Sequence, residues 1–550
     1  MTELMMTDIL VIGEGSAGQT AALAASEEGC DVILLGDGRA PSTAVSTGFL
    51  TFAAHDGFDR GQLLEAMSQV TGKGLCDSAL LTRLLDEAPK MMAEVIAAYG
   101  IPVDKVERGL RARRAIKKSG RDLLAGLEVE DAKRDPIEDI TGLMMEFSST
   151  HGTALYAQLR RAVKASPGIR RLRGSALVLE PGSTMIGALV DGKQVTIIAG
   201  AIVLATGGLQ GLFEFTDNPE TLVGDGHGMA VDAGAALVDI EFMQFYPLAV
   251  REDGVPTLFL YPDFPKLSTL TNDKGENVLT KRLGEGAQYL SELHNWDQLA
   301  AVVQTEIVEG QKVYVDFSGT KPADWAADSL AGTFLSKCVP TFMTTPVRIA
   351  PSSHYTVGGL KIDVDGRTSL PNVYAAGEMA GGVHGANRHG GAALVDAITF
   401  GRIAGQHAAA NLDGKASGRS TSLLPKPRKA GKQARCADLM ANLRRANQFA
   451  LGPIRDGARL QSAGERLAEF REEALSFSWN DYAEMQEVLR VQRAILLSDC
   501  MRQAMLRRTE SRGVHRRSDF PNSSDTWLKK QVVTLQYGKF QFKDVGVQTK

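Results

Sequence analysis

A glycine-rich turn near the N-terminus restricts the fold of this chain more than any other feature. The apolar segment Asp8–Ile12 is predicted to be a strand, and it runs directly into Gly13–Gly18, a G-x-G-x-x-G sequence. An Ala-rich helix is predicted over Gln19–Glu28 and a second strand over Asp31–Leu35. Glycines at this spacing permit the tight turn, the approach of backbone to a pyrophosphate, and close packing of helix on strand. The pattern therefore predicts a Rossmann-like dinucleotide-binding unit.

The acidic residue that usually binds a ribose about 20 residues after such a turn is not in its usual place. Gly36 occupies that place, and Asp37 follows it. Two interpretations stay open: Asp37 binds this ribose, or backbone groups bind it while Glu378 binds the other ribose. The candidate cofactor-binding residues at this end of the chain are Gly13, Gly15, Ser16, Ala17, Gly18 and Asp37.

A second glycine-rich stretch, residues 354–405, lies far along the chain. Val373–Ala376 is predicted to be a short apolar strand, and Glu378 follows its carboxyl end, where open α/β sheets bind ligands. The glycines after it let the backbone approach a large flat group. Ala393–Gly405 is predicted to be a helix whose N-terminus favours negative charge. Alone, this loop has a structural or a binding interpretation; the N-terminal motif favours binding.

These two stretches resemble the flavoprotein subunit of the succinate dehydrogenase/fumarate reductase family, which includes L-aspartate oxidase and the adenylylsulfate reductase α subunit. Further segments resemble family motifs in the same order: Ala201–Gly208, Asp217–Pro219, Gly224–Gly226, Glu241–Pro247 and Glu510–His515. The resemblance runs nearly end to end. It implies an α/β fold with a Rossmann-like FAD-binding domain, an inserted α+β capping domain and a C-terminal helical domain.

The 550 residues are enough for several domains. A run rich in Lys, Arg, Ser, Gly and Pro predicts a linker, and apolar residues at helical spacing after it predict a helical bundle. The expected domains are the FAD-binding domain (1–241 and 347–411), the capping domain (242–346), the linker (412–435), the helical domain (436–517) and a C-terminal tail (518–550).

A small antiparallel sheet is predicted between the two FAD-contacting strands. Its expected strands are Leu177–Leu179, Ile186–Val190 and Val195–Ile198, and Asp191–Gly192 is a hairpin turn signal. The sequence therefore predicts antiparallel pairing here, after which residues 199–208 return to the FAD-binding domain.

Charge and cysteine content restrict the partners and the compartment. The formal net charge of −4 gives no reason to expect nucleic acid or a membrane as partner. No apolar run approaches the roughly 20 residues of a membrane span, and Met1–Asp8 lacks the pattern of a secretory signal. Five cysteines without a C-x-x-C argue against an iron–sulfur or zinc site in this chain. We expect a cytoplasmic protein whose membrane association, if any, comes through partner subunits.

The resemblance implies FAD as the cofactor, bound without a covalent link. Respiratory members of the family carry FAD on a His within S-H-T, and this chain has Ser42 at the matching position. The further cofactor-binding residues that the resemblance implies are Thr47, Gly48, Ala205, Thr206, Gly207, Asp225, Tyr355, Glu378, Ala393 and Leu394.

The resemblance also implies that Arg388 and His354 contact the substrate. A guanidinium within a glycine-rich loop can bind a carboxylate through two hydrogen bonds. Tyr246 stands where the family motif E-F-x-Q-F-H-P has its His, and a phenol donates a hydrogen bond but carries no positive charge near pH 7. The candidate catalytic residues are therefore Arg388, His354 and Tyr246.

Two further departures from the family concern the substrate. Its R-G-E-G, whose Arg shuttles the proton in succinate and fumarate chemistry, has no Arg counterpart in Leu258–Leu267, where Tyr261 and Lys266 are the available substitutes. Its N-S-L is Ala392–Leu394 here. We therefore expect a more apolar substrate with one activating carboxyl or carbonyl group. Four aromatic residues either line its pocket or form the core of the capping domain: Tyr246, Phe259, Tyr261 and Phe264.

Three functions stay open. The first is an FAD-dependent oxidoreductase that acts on a C–C bond next to a carboxyl or carbonyl group and exchanges electrons with an iron–sulfur subunit. The second is a sulfur-metabolism flavoprotein like adenylylsulfate reductase, and the third is a non-catalytic FAD electron-transfer subunit. The E-S-R-G motif of the helical domain and the lack of cluster ligands favour the first.

Overall fold

The structure is a computed structural model of the chain. It describes residues 3–46, 49–51, 60–101, 103–106, 109–112, 151–255, 260, 264–290, 296–325, 329–412 and 422–547. Four residues of the sequence-based predictions lie outside these ranges: Thr47, Gly48, Phe259 and Tyr261.

Helices occur in every domain. The α-helices are Ser16–Glu27, Ser42–Val45, Arg60–Glu65, Ser78–Tyr99, His151–Ala165, Asp225–Asp232, Val278–Leu283, Trp296–Val308, Leu330–Cys338, Ala392–Ala410, Cys436–Ala450, Gly457–Leu475 and Tyr482–Arg507. A π-helix spans Ala66–Thr71. The 3₁₀ turns are Gln210–Leu212, Pro322–Asp324, Gly377–Met379 and Asp525–Trp527. Among the described helices, none is both long and apolar enough to cross a membrane.

A six-stranded sheet forms the centre of the FAD-binding domain. Its strands are Glu3–Ile12, Val32–Gly36, Ile169–Leu179, Met185–Val190, Lys193–Leu204 and Val373–Ala375. The N-terminal strand pairs in parallel with the second strand on one side and with Lys193–Leu204 on the other. Val373–Ala375 adds in parallel at the edge. The parallel strands are buried on both faces, which explains their continuous runs of Ile, Leu and Val.

The predicted antiparallel pairing between residues 177 and 198 is confirmed, and its strands belong to the six-stranded sheet. Ile169–Leu179 is 11 residues long, and its first half pairs in parallel with Val32–Gly36. Its second half pairs in antiparallel with Met185–Val190. The predicted turn is confirmed: Asp191 and Gly192 have φ values of 48° and 74°, as a type I′ hairpin requires.

The capping domain has a sheet and a core of its own. In spatial order its antiparallel strands are Met243–Val250, Val347–Thr356, Val313–Asp316 and Thr269–Asn272. Phe264 packs on Phe317 with ring centroids 5.8 Å apart, so this aromatic residue belongs to the core of the capping domain. The strand Val347–Thr356 starts in the cap sheet and carries His354 and Tyr355 to the FAD-binding domain.

The C-terminal tail is paired to the FAD-binding domain. Lys529–Gln536 and Lys539–Gly546 form a hairpin, and the first of these strands pairs with Leu237–Val238. Gly359–Lys361 and Ala380–Gly381 complete this sheet. Shorter pairings join Lys432–Gln433 to Phe477–Ser478, and Gly109–Ala112 to both Phe49–Thr51 and Val103–Val106.

The motif Glu510–His515 lies in a buried network of charges between domains. Arg508 donates to Glu241 Oε1 at 2.7 Å and to Glu510 Oε1 at 2.9 Å, and the side chains of all three residues are fully buried. Arg512 donates to both carboxylate oxygens of Glu510. The network ends at Val514, whose N–H donates to the carbonyl of Ala386 at 3.0 Å. It thereby fixes the backbone two residues before Arg388.

Candidate active site

A cavity of about 1180 Å³ brings the two glycine-rich stretches together. It is larger than the roughly 300–1,000 Å³ that small-molecule sites usually offer. The FAD-binding domain, the capping domain and the helix Tyr482–Arg507 all contribute to its walls. It therefore has room for a dinucleotide and a second small molecule.

The N-terminal glycine turn meets the requirements of a dinucleotide cradle. Gly13 has φ +113°, and a Cβ there would lie 2.1 Å from the carbonyl oxygen of Ala205. A Cβ on Gly18 would lie 1.8 Å from the carbonyl oxygen of Gly13, so Gly18 allows the helix to pack on the strand. Gly13, Gly15, Ser16 and Ala17 line the cavity at the start of the helix Ser16–Glu27, whose N-terminus favours a phosphate.

The predicted ribose residue Asp37 lines the cavity, but its carboxylate contacts Arg39 through the backbone N–H at 3.0 Å. A second carboxylate lies nearby. The side chain of Glu14 occupies the space that a side chain at Gly36 would need, with Cγ 2.3 Å from the ideal Cβ position. Glu14 also accepts from Arg171 at 2.7 Å and lines the cavity. Glu14 and Asp37 thus both place an acidic group where the usual strand-end acid is missing.

Six further residues predicted to bind the cofactor also line the cavity: Ala205, Thr206, Gly207, Asp225, Ala393 and Leu394. Asp225 begins the helix Asp225–Asp232 and pairs with Arg490 at 2.9 Å. Arg490 and Arg493 come from the helical domain and line the same cavity. Both arginines pair with carboxylates, so the helical domain contributes ion-paired side chains to this wall, which the sequence reasoning did not foresee. Ser42 also lines the cavity, and its Oγ has no hydrogen-bond partner among the described residues.

Glu378 is a half-buried carboxyl group held by neutral donors. The backbone N–H of Thr356 donates to Oε1 at 2.8 Å, and the side-chain amide of Gln210 donates to the same oxygen. Burial raises the pKa of Glu378 from 4.5 to about 7, and the Thr356 N–H and the charge of Arg388 limit the rise. Glu378 can therefore exchange a proton near neutral pH.

We expect the raised pKa of Glu378 to make the cofactor-free protein less stable as pH rises. The folded state holds this proton more tightly than the unfolded state, so stability is lost between pH 4.5 and about 7. Glu378→Gln keeps an acceptor for both donors and removes the ionisation. Across this pH range, the free energy of unfolding of the wild type should fall by about 3 kcal/mol more than that of the variant. The same pH dependence of the unfolding free energy in both proteins would mean that Glu378 is ionised over the whole range.

His354 and Tyr246 face each other at the other end of the cavity. His354 Nδ1 lies 2.8 Å from Asp217 Oδ2, and its ring centroid lies 5.8 Å from that of Tyr246. A buried carboxylate at Nδ1 fixes the tautomer and the orientation of the imidazole. The hydroxyl of Tyr246 donates to the carbonyl of Leu260 at 2.9 Å, a hydrogen bond within the capping domain.

Arg388 lies in the same region with its guanidinium on the face of Tyr355. The guanidinium carbon is 4.7 Å from the Tyr355 ring centroid, and NH1 donates to the carbonyl of His389 at 3.0 Å. Its Nε is buried and has no hydrogen-bond partner among the described residues. Burial lowers the pKa of Arg388. A buried cation with an unused donor fits an anionic or electron-rich substrate group.

A hydrogen-bonded chain connects the Arg388 loop to the capping domain. Gln244 donates to Asn387 Oδ1 at 2.8 Å and to the carbonyl of Arg388 at 3.2 Å. Asn387 in turn donates to Asp297 Oδ2 at 2.7 Å, across 90 residues of sequence. The position of the capping domain and that of the Arg388 loop are therefore coupled.

Of the two predicted substitutes for the family's Arg, Tyr261 lies outside the described residues and Lys266 does not line the cavity. Lys266 is exposed on the capping domain. Sequence reasoning instead missed Asp297, Lys73 and His389, which do line it. His389 could have been found from its place next to Arg388, whereas no local pattern marks Lys73 or Asp297.

Two family models match this chain. A model described as "FAD binding domain" matches residues 8–394, and one described as "Fumarate reductase flavoprotein C-term" matches residues 440–550. The first match covers the N-terminal glycine turn and residues 354–394 of the second glycine-rich stretch. The second covers the helices that supply Arg490 and the network around Glu510.

Known proteins match over nearly the whole chain. One subunit of the CoM/CoB fumarate reductase of Methanothermobacter marburgensis is 28% identical, with 96% of this chain and 97% of that protein covered. L-aspartate oxidase of Caulobacter vibrioides is 30% identical, with 96% of each covered. The quinol fumarate reductase protein FrdA of E. coli has a TM-score of 0.81 at 21% identity, covering 100% of this chain and 98% of that one. The chain belongs to the FAD-dependent flavoprotein family of fumarate reductase, succinate dehydrogenase and L-aspartate oxidase.

Proposed function

We propose that this protein oxidises or reduces a C–C bond next to a carboxyl or carbonyl group. The observation that carries the proposal is the buried guanidinium of Arg388, with its unused Nε, beside the His354–Asp217 pair. Both lie in the cavity that contains the dinucleotide cradle. Bound FAD supplies the two-electron redox step.

Each residue of this region has a task in such chemistry. Arg388 binds the activating carboxylate or carbonyl oxygen, and its contact with the Tyr355 ring holds the guanidinium in place. His354, oriented by Asp217, donates or accepts a hydrogen bond at the substrate. Tyr246 adds aromatic surface without a positive charge. This set supports a substrate with one strongly bound acidic or carbonyl group.

We further propose that electrons pass between FAD and a separate iron–sulfur subunit. Among the described residues, no group of three or more His, Cys, Asp or Glu side chains is placed to bind a metal ion. The relative from Methanothermobacter is named as one subunit of its enzyme. Any association with a membrane would come through such a partner. Copurification of an iron-containing subunit from the native host, with transfer of electrons to it from reduced protein, would support this arrangement.

The test of the main proposal is anaerobic. The flavin is reduced, and its absorbance is followed after addition of fumarate, larger unsaturated carboxylates and thioesters, or adenylylsulfate and sulfite. Fast reoxidation by an apolar unsaturated acid or thioester is the expected result. Fast reoxidation by fumarate would place the function closer to plain fumarate reduction. Reaction only with the sulfur compounds, or with none of the acceptors, would overturn the proposal.

A second candidate is direct oxidation of an amino acid by the L-aspartate oxidase reaction. The 30% identity with the Caulobacter enzyme favours including it. Its distinguishing result is hydrogen peroxide formed from an amino acid and O₂ by the isolated chain. Formation of peroxide without a partner would also remove the need for an iron–sulfur subunit.

We expect FAD to be bound without a covalent link. The position at which respiratory relatives carry a His is Ser42, and a hydroxyl does not form the His–flavin bond. Acid precipitation of the purified protein should therefore leave the yellow flavin in the supernatant, with the mass of the denatured chain unchanged. Flavin that stays with the pellet would contradict this prediction.

A further inference from the structure

Asp297 brings a carboxylate from the capping domain into the substrate end of the cavity. It lies in the first turn of the helix Trp296–Val308 and lines the cavity beside Asn387 and Arg388. Its Oδ2 accepts from the side-chain amide of Asn387 at 2.7 Å. No described residue donates to its Oδ1, so one carboxylate oxygen is available to a ligand.

Other ionisable groups of this region already have partners. His354 Nδ1 contacts Asp217, and Glu378 Oε1 accepts from Thr356 and Gln210. The hydroxyl of Tyr246 donates to a backbone carbonyl. Asp297 shares with Glu378 one carboxylate oxygen without a described donor, but it lies on the capping domain and contacts the residue next to Arg388.

Burial and neighbouring charges act in opposite directions on the pKa of Asp297. Burial raises the pKa of Asp297, while the cations of Arg516, Lys73 and Arg388 counteract this rise. A carboxylic acid whose pKa is raised lies closer to the operating pH, which favours both uptake and release of a proton. The three cations also keep the ionised form accessible beside the anionic substrate.

We propose that Asp297 is the acid–base residue of the reaction, in place of the family's missing Arg. This inference rests on the proposed function. In the oxidation direction, the C–H bond next to the activating carboxyl breaks and its proton moves to Oδ1 of Asp297. Bound FAD would be the two-electron oxidant that takes the hydrogen of the neighbouring carbon with its electron pair, so that a C=C bond forms. Reduction is the reverse, with protonated Asp297 as the proton donor.

The hydrogen bond to Asn387 links this proton transfer to the position of the capping domain. Asp297 lies on the capping domain, whereas Asn387 and Arg388 lie on the FAD-binding domain. This hydrogen bond therefore holds the carboxylate of Asp297 next to the loop that carries Arg388.

The test compares Asp297→Asn and Asp297→Glu with the exposed cap variant Asp273→Asn. Asp297→Asn keeps an acceptor for Asn387 and cannot carry a proton. Its kcat should fall by about 10²–10⁴-fold, with FAD content unchanged and the Kd of an unreactive carboxylate analogue changed by less than about fivefold. The profile of kcat against pH should lose the ionisation that belongs to the Asp297 carboxyl. Added formate should restore part of the rate.

Asp297→Glu should retain more activity with a displaced pH limb, and Asp273→Asn should match wild type. An Asn variant that keeps the wild-type pH profile and rate would overturn the inference while the proposed function stands. Loss of analogue binding together with turnover, without rescue by formate, would make Asp297 a positioning residue and also overturn it. If the wild-type protein reduces none of the acceptors, both the proposed function and the role of Asp297 are wrong.

Discussion

Arg388→Ala should keep FAD and lower kcat/KM by about 10²–10³-fold, the cost of removing one preorganised donor from a reacting oxygen. Arg388 contributes a buried charge and an Nε without a described partner, and it lies on the face of Tyr355. Its removal leaves the glycine turn at Gly13 and the helix at Ser16 unchanged. Flavin absorbance per chain and stopped-flow reoxidation together measure both outcomes.

Arg388→Lys separates charge from geometry. A lysine keeps the positive charge but cannot form two parallel hydrogen bonds with a carboxylate, so most of the loss should remain. The exposed Arg466→Ala, in the helical domain, is the matched control and should behave as wild type. Release of FAD by Arg388→Ala would show that this residue serves the cofactor and not the substrate.

Arg388→Ala also has an electrostatic consequence. The charge of Arg388 lowers the pKa of Glu378, which burial raises to about 7. Without that charge, the pKa of Glu378 should rise further, and the pH range over which the cofactor-free protein loses stability should extend upward. A pH titration of unfolding in the Arg388→Ala variant measures this shift independently of turnover.

Sequence patterns were sufficient for those parts of the site where local backbone geometry decides the residue. Gly13 and Gly18 leave no space for a Cβ, with 2.1 Å and 1.8 Å to carbonyl oxygens, and such constraints are visible as a glycine spacing. Glu378 follows a short strand directly, so its place at the sheet edge follows from the same local pattern.

The remaining parts depend on contacts between distant segments. Asn387 and Asp297 are 90 residues apart, and the capping domain brings them within hydrogen-bond distance. Lys73 reaches the cavity from the loop after a π-helix, with φ +55°. Neither the helical period nor the strand period marks such residues, because both describe burial and not the direction of approach to a ligand.

The predicted strand pattern between residues 177 and 198 shows the same limitation. The alternation and the Asp191–Gly192 turn correctly indicated antiparallel pairing. They could not indicate that Ile169–Leu179 also pairs with Val32–Gly36. Ile169–Leu179 pairs with one strand along its first half and with another along its second half. No feature of its sequence marks the point where the partner changes.

Arg508→Ala should destabilise the protein by about 3–5 kcal/mol, the cost of leaving buried charges without their partner. Arg508 is fully buried and donates to Glu241, to Glu510 and to the backbone carbonyls of Trp527 and Lys529. Burial already raises the pKa of Glu241, and Arg508 opposes that rise. Without Arg508, both carboxylates must take up a proton or leave their places, and either outcome weakens the contact between domains.

The exposed Arg435→Ala is the control. Its guanidinium pairs with Glu473 at 3.5 Å, and exposed pairs of this kind contribute about 0–1 kcal/mol. Scanning calorimetry at one scan rate should show a drop in Tm of about 3–4 °C for Arg508→Ala and little change for Arg435→Ala. Equal shifts for the two variants would mean that the buried network adds no more than a surface pair.

The Arg508 network also extends to the substrate loop. Gly513 follows Glu510 and Arg512 with φ +54°, and a Cβ there would lie 2.2 Å from the carbonyl oxygen of Ala386. Val514 then holds that same carbonyl by a hydrogen bond. Arg508→Ala should therefore weaken binding of an anionic substrate analogue as well, even below the temperature at which the variant unfolds. A variant that loses stability but binds the analogue as wild type would confine the network to a structural role.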